Sequence, residues 1–119
     1  MSDELKSRTK RFALDILDLT NKLPNSYLGD HIKGQLIRAG TSTASNYRAA
    51  SLAQSKPSFV AKISIVIEEA DECGFWLEII EDKNLLHSEL TAPLKKESYE
   101  ITSILISSRK TIQRKQNTL

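Results

Sequence analysis

The stretch Pro57–Asp82, PSFVAKISIVIEEADECGFWLEIIED, decides the fold. Phe59, Ile63, Val66, Ala70, Cys73, Leu77 and Ile80 follow one another at alternating steps of four and three. An α-helix makes one turn in about 3.6 residues, so this spacing lines a single face with apolar side chains, the pattern of bundle or coiled-coil packing. Ile65, Ile67, Phe75, Trp76 and Ile79 fall off that seam and make the helix apolar on more than one side. A lone chain would leave part of that surface in water. Ile65, Phe75, Trp76 and Ile79 are therefore the expected oligomer interface, with Trp76 as an anchor.

Three further segments share the helical period. Upstream, Leu5, Phe12, Ile16, Leu19 and Leu23 recur at heptad-like spacing until Pro24 and Asn25 end the pattern. The second segment begins between Ser26 and Asp30 and carries Ile32, Leu36, Ala39, Thr43, Asn46 and Ala50. Its centre, QLIRAGTSTASNYRAA over Gln35–Ala50, is almost wholly small or polar. Such a face lets two helix backbones approach closely, with Gly40 at the contact. Ser55, Lys56 and Pro57 break the chain again, and Pro57 suits the first position of the third helix. After Lys83 and Asn84, Leu90, Leu94, Ile101, Leu105 and Ile112 mark a fourth, with Pro93 in its first turns. Short connections favour antiparallel neighbours, which predicts an all-α, up-down-up-down four-helix bundle. The helices are expected at about 4–23, 28–53, 57–82 and 88–114 of a single domain spanning 1–119.

Composition narrows the setting. One cysteine excludes an intrachain disulfide, and MSDELKSRTKRF at the start has no apolar signal region. No apolar run approaches the ~20 residues that cross a bilayer. A cytoplasmic protein without membrane contact is expected.

The formal net charge of +2 conceals a separation. The expected topology gathers the start of the first helix, the second turn and the end of the fourth helix at one pole. Lys6, Arg8, Lys10 and Arg11 lie in the first of these segments. Arg48, Lys56 and Lys62 flank the second, and Arg109, Lys110, Arg114 and Lys115 close the third. Such a pole is the footprint of a phosphate-backbone binder, although cations in a last helical turn also complement the helix dipole. Arg8, Lys10, Arg11, Arg48, Lys56, Lys62, Arg109, Lys110, Arg114 and Lys115 are the candidate nucleic-acid contacts. No interleaved aromatic residues point to base readout.

A second constellation joins helices two and three. With the turn centred near Ser55, Arg38 falls opposite Glu72, and Ser42 opposite Glu68 or Glu69. Arg38, Ser42, Asn46, Glu68, Glu69 and Glu72 form the expected structural polar seam. Its centre is a partly buried Arg38 pair with Glu69 or Glu72, and Ser42 and Asn46 complete the hydrogen bonds. A ligand pocket lined by the same groups is the functional alternative. Arg48 meets no acid at its height on helix three and should reach another helix, another subunit or a phosphate.

Catalytic chemistry finds little footing. Glu68, Glu69 and Glu72 lack a histidine three residues on, so a carboxylate metal centre is not expected. Cys73 occupies a core position and reads as a small hydrophobe. No metal, no cofactor and no enzymatic activity are expected.

QLIRAGTSTASNYRAA together with SKPSFVAKISIVIEEADECGFWLEII resembles the bacterial four helix bundle proteins encoded in intervening sequences of the large-subunit ribosomal RNA gene. Leu23-Pro24, Arg38–Ser42, Asn46–Ala50, Glu68–Glu72, Trp76–Glu78 and Ser108–Thr111 carry the resemblance over nearly the whole chain. It implies a left-handed bundle assembling into a ring-like homopentamer without known catalysis. It also implies similarity to the accessory protein of diversity-generating retroelements, a basic pentamer that binds nucleic acid and a protein partner. Two readings follow: a non-catalytic oligomer binding RNA or DNA backbone through its basic pole, or a scaffold for another protein with no nucleic-acid role.

Overall fold

The structure is a computed structural model that describes residues 3–117. Four helices account for most of them: α1 (Asp3–Thr20), α2 (Tyr27–Ala50), α3 (Lys56–Asp82) and α4 (Ser88–Asn117). They form an elongated body of 54 × 22 × 21 Å. Successive helices pack extensively, whereas α1 and α4 touch over a much smaller seam.

Local chemistry sets the boundaries. α1 stops at Thr20, three residues before the last apolar position of its stripe. There the Thr20 hydroxyl donates to the Leu17 carbonyl, and the amides of Lys22 and Leu23 bond to Leu19 and Thr20. Leu23 is still buried, so the expected helix end is a tight turn that keeps its apolar side chain. Ser26 caps α2 by accepting from the Gly29 amide, and Ser55 caps α3 by accepting from the Ser58 amide. Pro57 is thus the second residue of its helix, one place later than the sequence suggested. α3 closes through Asn84, which takes φ 53°, while the Leu85 amide bonds to the Ile80 carbonyl at 2.9 Å. That is a Schellman-type ending, in which asparagine tolerates the left-handed conformation. α2 ends at Ala50, earlier than expected, and α4 runs to Asn117, later than expected.

The contacts step in opposite directions along neighbouring helices. Pro24 lies against Gly29 and Ile16 against Gly40, while Glu81 meets Thr91 and Lys95 and Ser64 meets Arg109. The core is the stripe read from α3, with Ile63, Val66, Ala70, Cys73, Leu77 and Ile80 all buried. Phe12, Ile16, Ile32, Leu36, Ile101 and Leu105 pack into the same cluster. On α2, Tyr47 is buried and Asn46 only partly so, which corrects the expected stripe by one residue. Steps of four, four and three from Ala39 through Thr43 and Tyr47 to Ala50 keep to one helical face.

Candidate interaction surfaces

The polar seam forms around Arg38, a side chain of α2 that remains about half exposed. Its Nη1 donates to Glu69 Oε2 at 2.9 Å, and its Nη2 pairs with Glu72. Glu72 also accepts from the Trp76 indole at 3.0 Å. The Arg38 guanidinium and then that indole hold the Glu72 carboxyl below the usual carboxylate range, against the opposing effect of burial. Trp76 in turn meets the His31 ring edge-on, with centroids 5.6 Å apart.

Two parts of the expected seam belong elsewhere. Asn46 Nδ2 donates to Ser42 Oγ at 2.8 Å and to the Ser42 carbonyl at 3.0 Å, a contact one turn apart within α2. Neither residue completes the Arg38 network. Glu68 points to solvent, since it sits on the outward side of α3 while Glu69 and Glu72 flank α2. What remains is an exposed arginine with two carboxylates and an indole, and every member has a partner.

The basic residues divide by their partners. Arg8 is committed within the chain. Its Nε and Nη2 form a fork on Glu97 at 2.7 and 2.8 Å, and Nη2 also reaches Glu100 at 2.7 Å. This bidentate geometry bridges the thin α1–α4 seam and takes Arg8 out of the uncompensated charges. Glu97 and Glu100 lie roughly ninety positions away in the sequence, and no local spacing could have announced the pair. Arg109 donates to Ser64 Oγ at 3.0 Å, joining α4 to α3. Lys10, Arg11, Arg48, Lys56, Lys62, Lys110 and Arg114 form no ion pair among the described residues. Lys115 has an interaction of its own.

Lys6, Lys10 and Arg48 line one open groove of about 590 Å³ between α1 and α2. Its floor is Ala13, Leu14, Leu17 and Ala44, with Ser7, Thr41 and Ser45 along the sides. The sequence placed Arg48 without an acidic partner on α3, and the structure puts it beside two lysines of α1.

The apolar candidates on α3 also divide. Ile65 and Phe75 are exposed, whereas Trp76 and Ile79 are partly buried and pack on the core. Cys73 is buried beneath the Arg38 network, and burial pushes its thiol up to about 12. Among the described residues, no helix is long and apolar enough to cross a membrane, and no cluster of three or more His, Cys, Asp or Glu could hold a metal ion.

Residues 3–107 match the family described as 23S rRNA-intervening sequence protein. The chain belongs to that family. Among solved structures it is similar to a protein of unknown function from the S23 ribosomal protein family of Bacteroides thetaiotaomicron. The two share 33% sequence identity and superpose with a TM-score of 0.82, over 88% of this chain and 97% of the other. No curated protein matches the chain.

Proposed function

We propose that this member of the intervening-sequence family is a non-catalytic, cytoplasmic, oligomeric protein whose basic end binds the phosphate backbone of RNA or DNA. The observation that carries the reading is that, of the ten candidate contacts, Lys10, Arg11, Arg48, Lys56, Lys62, Lys110 and Arg114 make no ion pair among the described residues. In contrast, Arg8, Arg38 and Lys95 all have carboxylate partners. Lysines and arginines without partners, drawn from all four helices, suit a polyanion whose charges are closely spaced.

An up-down-up-down bundle is supported by the opposed stepping of contacts along α1–α2 and α3–α4. A left-handed, ring-like homopentamer rests on the family resemblance, and the exposed Ile65 and Phe75 favour self-association. Several copies would multiply individually weak phosphate contacts through their effective concentration. Phe12 and Tyr47, the aromatic neighbours of Arg11 and Arg48, are buried, so binding is expected to follow backbone charge rather than base identity.

Gel retardation with RNA and DNA of unrelated sequence tests the reading. Complexes are expected at ~50 mM salt and should weaken steeply by ~200 mM, because each neutralised phosphate releases counterions. Substituting Lys56→Glu, Lys110→Glu and Arg114→Glu together should abolish retardation while circular dichroism stays helical. Wild-type protein that retards neither nucleic acid at the lower salt would overturn the proposal. The scaffold reading, favoured by the same exposed apolar side chains of α3, would then predict one stoichiometric protein partner whose capture nuclease does not affect.

A further inference from the structure

α3 carries two stripes, and the inner one builds the chain's own core. The inner stripe is Ile63, Val66, Ala70, Cys73, Leu77 and Ile80. The outer one is Ala61, Ile65, Glu68, Glu72, Phe75 and Ile79, again at alternating steps of four and three. Ala61, Ile65, Glu68 and Phe75 are exposed, and neither Ile65 nor Phe75 joins the core cluster. Ile65 and Phe75 are large apolar side chains held in water on that outer face, which suits packing against another helix. Glu68 on this stripe and Asp71 at its flank make no ion pair among the described residues.

The α1–α2 groove has the opposite character. Leu14 is exposed on its floor, Ala13 and Ala44 are small, and Lys6, Lys10 and Arg48 stand around it without ion-pair partners among the described residues. At about 1.5 Å per residue, Lys10 to Leu14 spans about 6 Å, as does Asp71 to Phe75. The spacing of charged to apolar side chains and the sign of charge therefore agree between the two surfaces.

We infer that the α1–α2 groove receives the outer face of α3 from a second copy of this chain, with Phe75 over Leu14 and Leu17 and with Glu68 and Asp71 facing Lys6, Lys10 and Arg48. This inference rests on the self-association reading above and goes beyond it by naming the two faces. Because the faces differ, the contact is heterologous: every copy offers one groove and one ridge, and the assembly grows head to tail until it closes. It also divides the basic residues. Lys10 and Arg48 serve the neighbouring subunit, while Arg11, Lys56, Lys62, Lys110 and Arg114 stay open to a polyanion.

Charge reversal on the full-length chain tests this, with mass measured by light scattering and folding followed by circular dichroism. Lys10→Glu with Arg48→Glu, or Glu68→Lys with Asp71→Lys, should each reduce the wild-type oligomer to a monomer of unchanged helicity. Combining all four substitutions should restore the oligomeric mass. Persistence of the oligomer in both double variants, or failure of the fourfold variant to reassociate, would overturn the inference while leaving self-association intact. A wild-type chain that is monomeric would instead remove the self-association reading itself. As a second measurement, Leu14→Cys with Phe75→Cys should give intermolecular disulfide multimers under mild oxidation. Efficient dimers from Phe75→Cys alone would show that α3 packs on its own copy, which excludes the groove.

Discussion

Gly40 of α2 packs directly against Ile16 of α1. A Cβ placed on it would lie 2.9 Å from Ile16 Cγ2, and Ile16 is itself fully buried. Gly40→Leu must therefore displace Ile16 or part the two helices, at a cost of about 1–3 kcal/mol or more. Thermal melting should show the loss, and a variant that melts like the parent would contradict the contact. Cys73 gives a second expectation at this scale. Its thiol is buried and held largely protonated, so a thiol reagent should label it only when the protein opens. Labelling in native buffer at the rate seen in denaturant would contradict that. Gly40 and Cys73 were legible from their neighbours: one lies in a run of small residues, the other on an unbroken apolar stripe. Tyr47 was not. Counting by three from Thr43 gives Asn46 and counting by four gives Tyr47, both steps are helical, and only packing chooses between them.

At the scale of the helix, α2 and α3 are stapled by Arg38, and α3 and α4 by Glu81. The Glu81 carboxylate accepts from Lys95 at 2.8 Å and from Thr91 at 2.6 Å. Lys95, then Thr91, hold Glu81 below the usual carboxylate range, and Arg38 followed by Trp76 does the same for Glu72. A depressed folded-state value means that the unfolded chain takes up the proton first. The stabilisation is thus complete above the ordinary carboxylate value and is lost as pH falls through the folded one. The melting temperature should vary little between about pH 7 and 5 through these groups and decline below about pH 4. Glu72→Gln and Glu81→Gln combined should flatten that decline; an unchanged acid limb would show that neither staple contributes. The sequence offered Arg38, Glu69 and Glu72 because their connecting turn is short and the heights of facing residues can be counted. It could not offer Arg8 with Glu97 and Glu100, since that pair depends on how two helices at opposite ends of the chain lean together.

For the whole molecule, the decisive relation is between surfaces that the chain leaves unused. α1 and α4 share only a thin seam, while the outer side of α3 and the α1–α2 groove both remain open. If folding and association are coupled through these faces, the melting temperature should rise with protein concentration, by mass action. A value that stays constant over a hundredfold dilution, with no change in mass, would show a self-sufficient monomer. The four-helix plan was readable because its signals are periodic and survive without side-chain detail. The groove was not, because Lys6 and Lys10 belong to α1 and Arg48 to α2, and the cleft they share is a product of packing rather than spacing.

Trp76 is the one tryptophan of the chain, and its indole nitrogen is bonded to a carboxylate that Arg38 also holds. The protein thus carries its own optical gauge of the α2–α3 junction. Emission should shift when acid severs the indole–carboxylate bond, even while the backbone signal still reads as intact helix.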